Sequence, residues 1–465
     1  MTIGLPGVVR YDIDHAACIA TAHRVRQSFE AMFPTGGIKM FERSLAVAAS
    51  LFALAASTPV QGQEPKPIKV GIVTFLSGAA AGPFGIPARN AAELFAAEAN
   101  AGKLPAPYVA KGIGGRAVEL VVIDEAGGTT KQVSEFRNLA EQQGVDMVVG
   151  YISSGDCLAI APVAEELKKV TLFFDCGTPR IFEDTNYKYV FRPVGHAVMD
   201  NVAAAMYIAE TRPNLKKYAG INQNYAWGQD SWNDFEHSFK GLKPDAQLMT
   251  SQMPKLGAGQ YNAEISALLS SGAEIIHSSF WGGDLEGLIL QGAPRNLFKN
   301  ATVILTAGET ATHRQAGQIP DGTVIGARGP NGIFAPDNNF NKWLRANYEA
   351  KFKGAPSYPS YHMVQTLLAA KTAYEKAQGG NASKVPTADE ISATLTGLAF
   401  DGPSGTVKMA LSKGHQAVQE TVYATAKQTG GKLTFADVRR YPAEKVNPPE
   451  GAKSEEWIKS GFKSH

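Results

Sequence analysis

Two serines, an acid and a thiol stand together in the stretch GYISSGDC, Gly150 to Cys157. Residues of these types serve two chemistries. A serine or cysteine on a sharp turn can act as a nucleophile, given a base and an oxyanion hole. Hydroxyls and free amides at a helix start can instead hold someone else's oxygen atoms, because a helix N-terminus offers unpaired N–H groups and a partial positive charge. The nucleophile reading lacks support. The spacing Gly150-x-x-Ser153-Ser154-Gly155 is not the G-x-S-x-G elbow, and the nine histidines fall in no partner motif. Ser153, Ser154 and the amide of Gly155 are therefore candidates for a ligand cup. Plain capping of the helix by Ser and Asp is the alternative.

The elements around this stretch explain its position. IKVGIVTF (Ile68–Phe75), AVELVVID (Ala117–Asp124), VDMVVGYI and VTLFFD read as strands. PARNAAELFAAEANA (Pro87–Ala101), TKQVSEFRNLAEQQG and CLAIAPVAEELKK, lying between them, read as helices with apolar residues at helical spacing. Such alternation predicts βαβ units and a parallel sheet with helices on both faces. The pattern repeats from KKYAGINQN to ATVILTA, giving a second open sheet. The fold class is thus α/β, with one sheet from about 66 to 192 and another from about 193 to 328. Helices in NNFNKWLRANYEAKF, PSYHMVQTLLAAKTAYEKAQ and TADEISATLTGL follow, then late strands from TVKMALSKGHQ onward. The helices need a surface to cover, and the first lobe is the natural one. This assigns 66–192 plus 329–400 to lobe one, 193–328 plus 401–445 to lobe two, and 446–465 to a tail. The chain then crosses between lobes near Arg192, Arg328 and Phe400, which makes a hinge with a cleft beside it.

Ligands of open α/β sheets bind at the carboxyl ends of strands. GYISSGDC is at such an end, and FFDCGTPRIF (Phe173–Phe182) closes the next strand. Cys176, Gly177 and Thr178 should therefore lie beside the serines. The same adjacency makes a Cys157–Cys176 disulfide credible, with two free buried thiols as the alternative. FLSGAAAGPFG (Phe75–Gly85) is Gly-rich but lacks the Gly-Lys-Ser/Thr end of a phosphate loop; it reads as a flexible lip on the cleft. Asp284, after WGG, reads as a helix N-cap.

At 465 residues, 44% hydrophobic and 19% charged, the chain has the composition of a folded soluble protein. A net charge of +2 gives no strong bias toward nucleic acid or a membrane surface, and no nucleic-acid motif is visible. MFERSLAVAASLFALAASTPVQGQ, from Met40, has the layout of a secretory signal peptide: a basic residue, an apolar core too short to span a bilayer, then small residues. Its assigned range is 40–62, with cleavage near Gly62 or near Ser57. Residues 1–39 then read as a start codon placed too early or as an extra leader. Export places Cys157 and Cys176 in an oxidising compartment.

The order of IKVGIVTFLSG, VVIDEAGG, VVGYISSG, FFDCGTP, NYAWGQD and FWGGDLEGLILQGA resembles the leucine/isoleucine/valine-binding-protein-like solute receptors of bacterial ABC transporters, over about 66 to 430. The resemblance implies two Rossmann-like lobes with a type I periplasmic binding fold. It places a carboxylate cradle on Ser154 (or Ser153) and Thr178, with backbone groups of Cys176 and Gly177 nearby. It places lobe-two aromatic residues at Trp227, with Tyr225 close by, and at Phe280 and Trp281. It puts an acid for a ligand ammonium near Glu309. Asp175-Cys176-Gly177-Thr178 departs from the family's usual small residues at that point, which unsettles the carboxylate register.

The reading that follows is a monomeric periplasmic receptor, without cofactor or metal. It binds a small carboxylate-bearing solute (an amino acid, an amide or an aromatic or organic acid) and passes it to an inner-membrane permease. Four aromatics around the cup favour a flat or hydrophobic ligand body. Two other classes stand beside it: a ligand-sensing module with a separate signalling partner, and an exported hydrolase using Ser153, Ser154 or Cys157.

Overall fold

The computed structural model describes residues 65–463. The expected leader and signal peptide lie outside the described residues. In the first sheet, β1 (Ile68–Thr74), β2 (Val118–Asp124), β3 (Met147–Gly150), β4 (Thr171–Phe173) and β5 (Val190–Phe191) run parallel in the order β2-β1-β3-β4-β5. Val70 on β1 sits between Leu120 on β2 and Met147 on β3. Helices cover both faces, so the central strands are largely apolar; Ile72 and Val73 are both fully buried.

The second sheet holds β6 (Lys217–Ile221), β7 (Gln247–Gln252), β8 (Ile275–Ser278), β9 (Thr302–Leu305), β10 (Val324–Gly326), β14 (Thr421–Thr429) and β15 (Lys432–Tyr441). Their order is β15-β14-β10-β9-β8-β6-β7, with β14 antiparallel to both β10 and β15. The α/β, parallel-dominated class read from the sequence is the one observed.

Five helices matter for the site. They are α1 (Ile86–Ala101), α2 (Ser154–Glu166), α3 (Ala226–Leu242), α4 (Gly282–Gly292) and α5 (Tyr358–Gln378). Pro87 stands in the first turn of α1, and Gly102 ends it in the left-handed region at φ 67°. Alanines 88, 91, 92 and 99 on α1 bury one face, letting α5 pack closely against it.

The late strands differ from expectation in one place. β11 (Ala399–Gly402), β12 (Gly405–Leu411) and β13 (Gln416–Val418) close on themselves as a separate three-stranded sheet. Their inward residues Phe400, Val407, Met409 and Ala417 join the core around β1 and α5. The last crossing therefore falls at Gln419–Glu420, between β13 and β14, rather than near Phe400. It runs beside the first: Arg192 and Gln416 form a parallel bridge, with Arg192 N–H donating to His415 O at 2.9 Å.

Both sheets reverse strand order at one point. In the first, the reversal lies between β1 and β3; in the second, between β6 and β8. Residues just beyond these four strand ends are where a crevice must form.

Candidate ligand-binding cleft

The segment after β3 carries the serines onto α2, as its sequence requires. Ser153 is the N-cap, in extended conformation, and its Oγ accepts from the Asp156 N–H at 3.4 Å. Ser154 Oγ accepts from the N–H groups of Gly177 and Thr178 at 3.1 and 3.2 Å. Thr178 Oγ1 donates to Asp230 Oδ2 at 2.5 Å. The Cys157–Cys176 disulfide is formed, with Cα atoms 6.5 Å apart, and ties α2 to the segment after β4. Ser153, Ser154, Cys176, Gly177 and Thr178 are thus neighbours, and Gly155 lies beside them in the first turn of α2.

Two amides at the entry to the cup already have an acceptor within the chain. Glu125, fully buried just after β2, accepts from the Ile152 N–H at 2.9 and 3.0 Å and from the Ser153 N–H at 2.8 Å. Burial, with Asp156 and Asp175 nearby, pushes the Glu125 carboxyl well above the usual range, against the pull of those two amides. The chain's own acid thus holds the two amides that lead into α2.

The crevice between the sheets lies next to this cup. From lobe one come Phe84, Ile152, Asp175 and Gly177; from lobe two come Tyr225, Trp227 and Trp281; Arg328 and Tyr358 complete the wall. Phe84 and Trp281 are 5.2 Å apart edge to face, and Phe75 and Trp281 5.8 Å, so rings of the two lobes touch. Trp281 Nε1 donates to Tyr225 Oη at 2.7 Å, and Trp227 Nε1 donates to Ser279 O at 2.8 Å. Burial raises the Tyr225 hydroxyl well above its ordinary value, so it keeps a proton to donate. A Cβ on Gly177 would lie 2.2 Å from the Trp227 ring; only glycine lets the indole press this close. A Cβ on Gly283 would meet Ala79 Cβ at 2.6 Å, the corresponding close approach at the lip. The remaining cavity is about 10 Å³, roughly one water molecule's worth. A larger guest requires the two walls to part.

Arg328 is the cavity's cation. It follows β10 in the left-handed region at φ 49° and is 4% exposed. Its guanidinium lies 4.6 Å over the Trp227 ring. Nη1 donates to Asp175 O and Oδ1, each at 2.5 Å, and Nε donates to Asp200 Oδ2 at 3.1 Å. Burial pushes the Asp200 carboxyl up to about 6, against the pull of Arg328. His362 on α5 closes the cluster, with Nδ1 3.0 Å from Asp175 Oδ1 and Nε2 3.0 Å from Asn331 Nδ2. Asp175 Oδ2 and Asp200 Oδ1 are buried and have no partner among the described residues.

Two of the expected ligand residues sit elsewhere. Phe280 turns into the second core, its ring 4.9 Å from Tyr261. Glu309 is fully buried but off the cavity wall; it meets His313 Nε2 at 2.6 Å and accepts from the Tyr358 N–H at 2.9 Å. Asp284 is in the first turn of α4, not its N-cap, and accepts from Gln223 Nε2 and Gly257 N–H, both at 2.8 Å. Sequence reasoning passed over Glu125, Asp175 and Arg328 as site residues, although each follows an apolar strand directly. A charged residue in that position is either a surface group or an interior one with partners, and only the latter fits the middle of a doubly wound sheet.

Two larger hollows, about 280 and 370 Å³, lie where the C-terminal segment passes residues 179–186 and α3. Charged groups such as Glu183, Asp184 and Lys453 line both, and neither lies at a strand-order reversal. The small aromatic cavity is the better site on position.

Comparison with known proteins agrees with this architecture. Residues 67–432 match the family model described as periplasmic binding protein. No curated protein matches in sequence. Among solved structures, an R. palustris ABC-transporter solute-binding protein in complex with benzoate aligns with TM-score 0.69 and 21% identity, over 83% of this chain and 99% of that one. A periplasmic binding protein from Burkholderia mallei aligns with TM-score 0.70 and 16% identity, over 83% and 97%. A leucine-binding protein from Thermotoga maritima aligns with TM-score 0.63 and 19% identity, over 80% and 98%. No described helix is long and apolar enough to cross a membrane. With two doubly wound sheets, several crossings and a family match over most of its length, the chain belongs to the periplasmic binding protein family.

Proposed function

We propose that this protein captures a small organic solute in the periplasm and presents it, lobes closed, to the permease of an ABC transporter. The observation that carries the reading is the aromatic cavity at the meeting of the two strand-order reversals, walled by Phe84 from one lobe and Trp227 and Trp281 from the other. The solute's apolar body replaces ring-on-ring contact between the lobes. The sheets move as two bodies about the crossings near Arg192, Arg328 and Gln419, and the protein acts as a monomer. Closure follows from the tighter binding of solute to the closed form.

A carboxylate-bearing solute is the second reading. The benzoate-bound and leucine-binding proteins of similar fold favour it. Thermal melts of the purified protein against amino acids, amides, amines and aromatic or aliphatic acids test the receptor role. A solute at about a hundred times its Kd adds roughly 2.7 kcal/mol to stability. Stoichiometric binding without turnover is expected; conversion of the bound compound would point to the hydrolase class instead.

A further inference from the structure

Three features of the cavity bear on the head group of the solute, given the receptor reading above. The first is charge. Arg328 already faces two carboxylates, Asp175 and Asp200, all three being at most 4% exposed. A ligand carboxylate would be a third anion on one buried guanidinium. Arg192, also buried, adds a second positive charge near Asp200, but its guanidinium donates to Gln416 and to the carbonyls of Cys176 and Thr178 and does not line the cavity.

The second is the hydrogen-bond inventory. Asp175 lines the cavity, and its Oδ2 is buried without a partner among the described residues. An unmet carboxylate oxygen in a dry site is costly, and a charged N–H donor is its strongest complement. Arg328 has committed Nε and Nη1, leaving only Nη2, which reaches Gly195 O at 3.5 Å. The amides of Ile152 and Ser153, which would otherwise serve a carboxylate, are held by Glu125.

The third is the wall. Tyr225, Trp227, Trp281, Phe84 and Tyr358 surround the acid. Ring faces attract cations and bury the apolar stem that carries them.

We propose that the cleft recognises a small ammonium- or amidinium-headed solute lacking a carboxylate, its N–H groups donating to Asp175 Oδ2 between the aromatic walls. Binding is measured by calorimetry and thermal melts on two matched series, one built on phenyl and one on a branched alkyl body. They are benzylamine, benzoate and phenylalanine, and isobutylamine, isobutyrate and leucine. The amine is expected to bind most tightly in at least one series, and Asp175→Asn to weaken it about 10- to 100-fold. If Asp175→Asn fails to fold, the ranking in the unmodified protein still decides the matter. Acids or amino acids outranking amines in both series would overturn the cationic assignment and leave the receptor role standing. Silence from all six compounds and from the wider panel would overturn both.

Discussion

The cup at the start of α2 and the cluster around Arg328 are neighbours made of similar residues, yet they end in opposite conditions. In the cup, Ser154 Oγ, Thr178 Oγ1 and the amides of Ile152 and Ser153 all find partners within the chain. In the cluster, two carboxylates share one guanidinium and keep an oxygen each without a partner among the described residues. A strand's carboxyl end is a good place for a site, but being there does not make a polar group a ligand contact. A group that has satisfied itself serves the fold; one left unmet in a cavity is open to a guest.

Removing the cation should separate the two regions most strongly. Arg328→Met leaves Asp175 and Asp200 buried and uncompensated, and should cost about 3–5 kcal/mol in urea unfolding. A loss below 1 kcal/mol would mean that the cluster is not the buried ion network described.

The next effect is one of pH. Burial raises the Asp200 carboxyl to about 6 in the folded protein, from an ordinary value of 3.8. The native state therefore holds this proton more tightly than the unfolded chain. This contribution is fully present below about pH 4 and is lost as pH rises through 6, amounting to roughly 3 kcal/mol. Glu125, raised by burial, acts in the same direction. Asp200→Asn should flatten the fall in stability between pH 4 and 6; an unchanged slope would assign it to other acids.

Smallest is the cup itself. Ser154→Ala strips the acceptor from two buried amides and should cost about 1–3 kcal/mol. The ligand-induced rise in melting temperature should survive. Should that rise vanish while folding is intact, the serine belongs to the ligand after all, and the contrast between the regions fails.

Much of this was legible before any coordinates. Alternating apolar runs and amphipathic helices specify two parallel sheets, because strands buried on both faces must be apolar and crossovers must be helical. Ser153 as a helix start, the closeness of Cys157 to Cys176, and Trp227 and Trp281 at strand ends all follow from local pattern. The last crossing did not, since 399–418 looks like more strand and only its packing against α5 places it outside the second sheet.

The polar partnerships were decided by the tertiary structure alone. Glu125 meets Ile152 and Ser153 across the intervening β1, and Arg328 meets Asp175 across 153 residues. Periodicity fixes which face of an element is apolar, since that depends on residues a few places apart. Which acid meets which amide or guanidinium depends on how separate elements are set against each other. That setting also turned Phe280 and Glu309 away from the cavity and left Asp175 facing it.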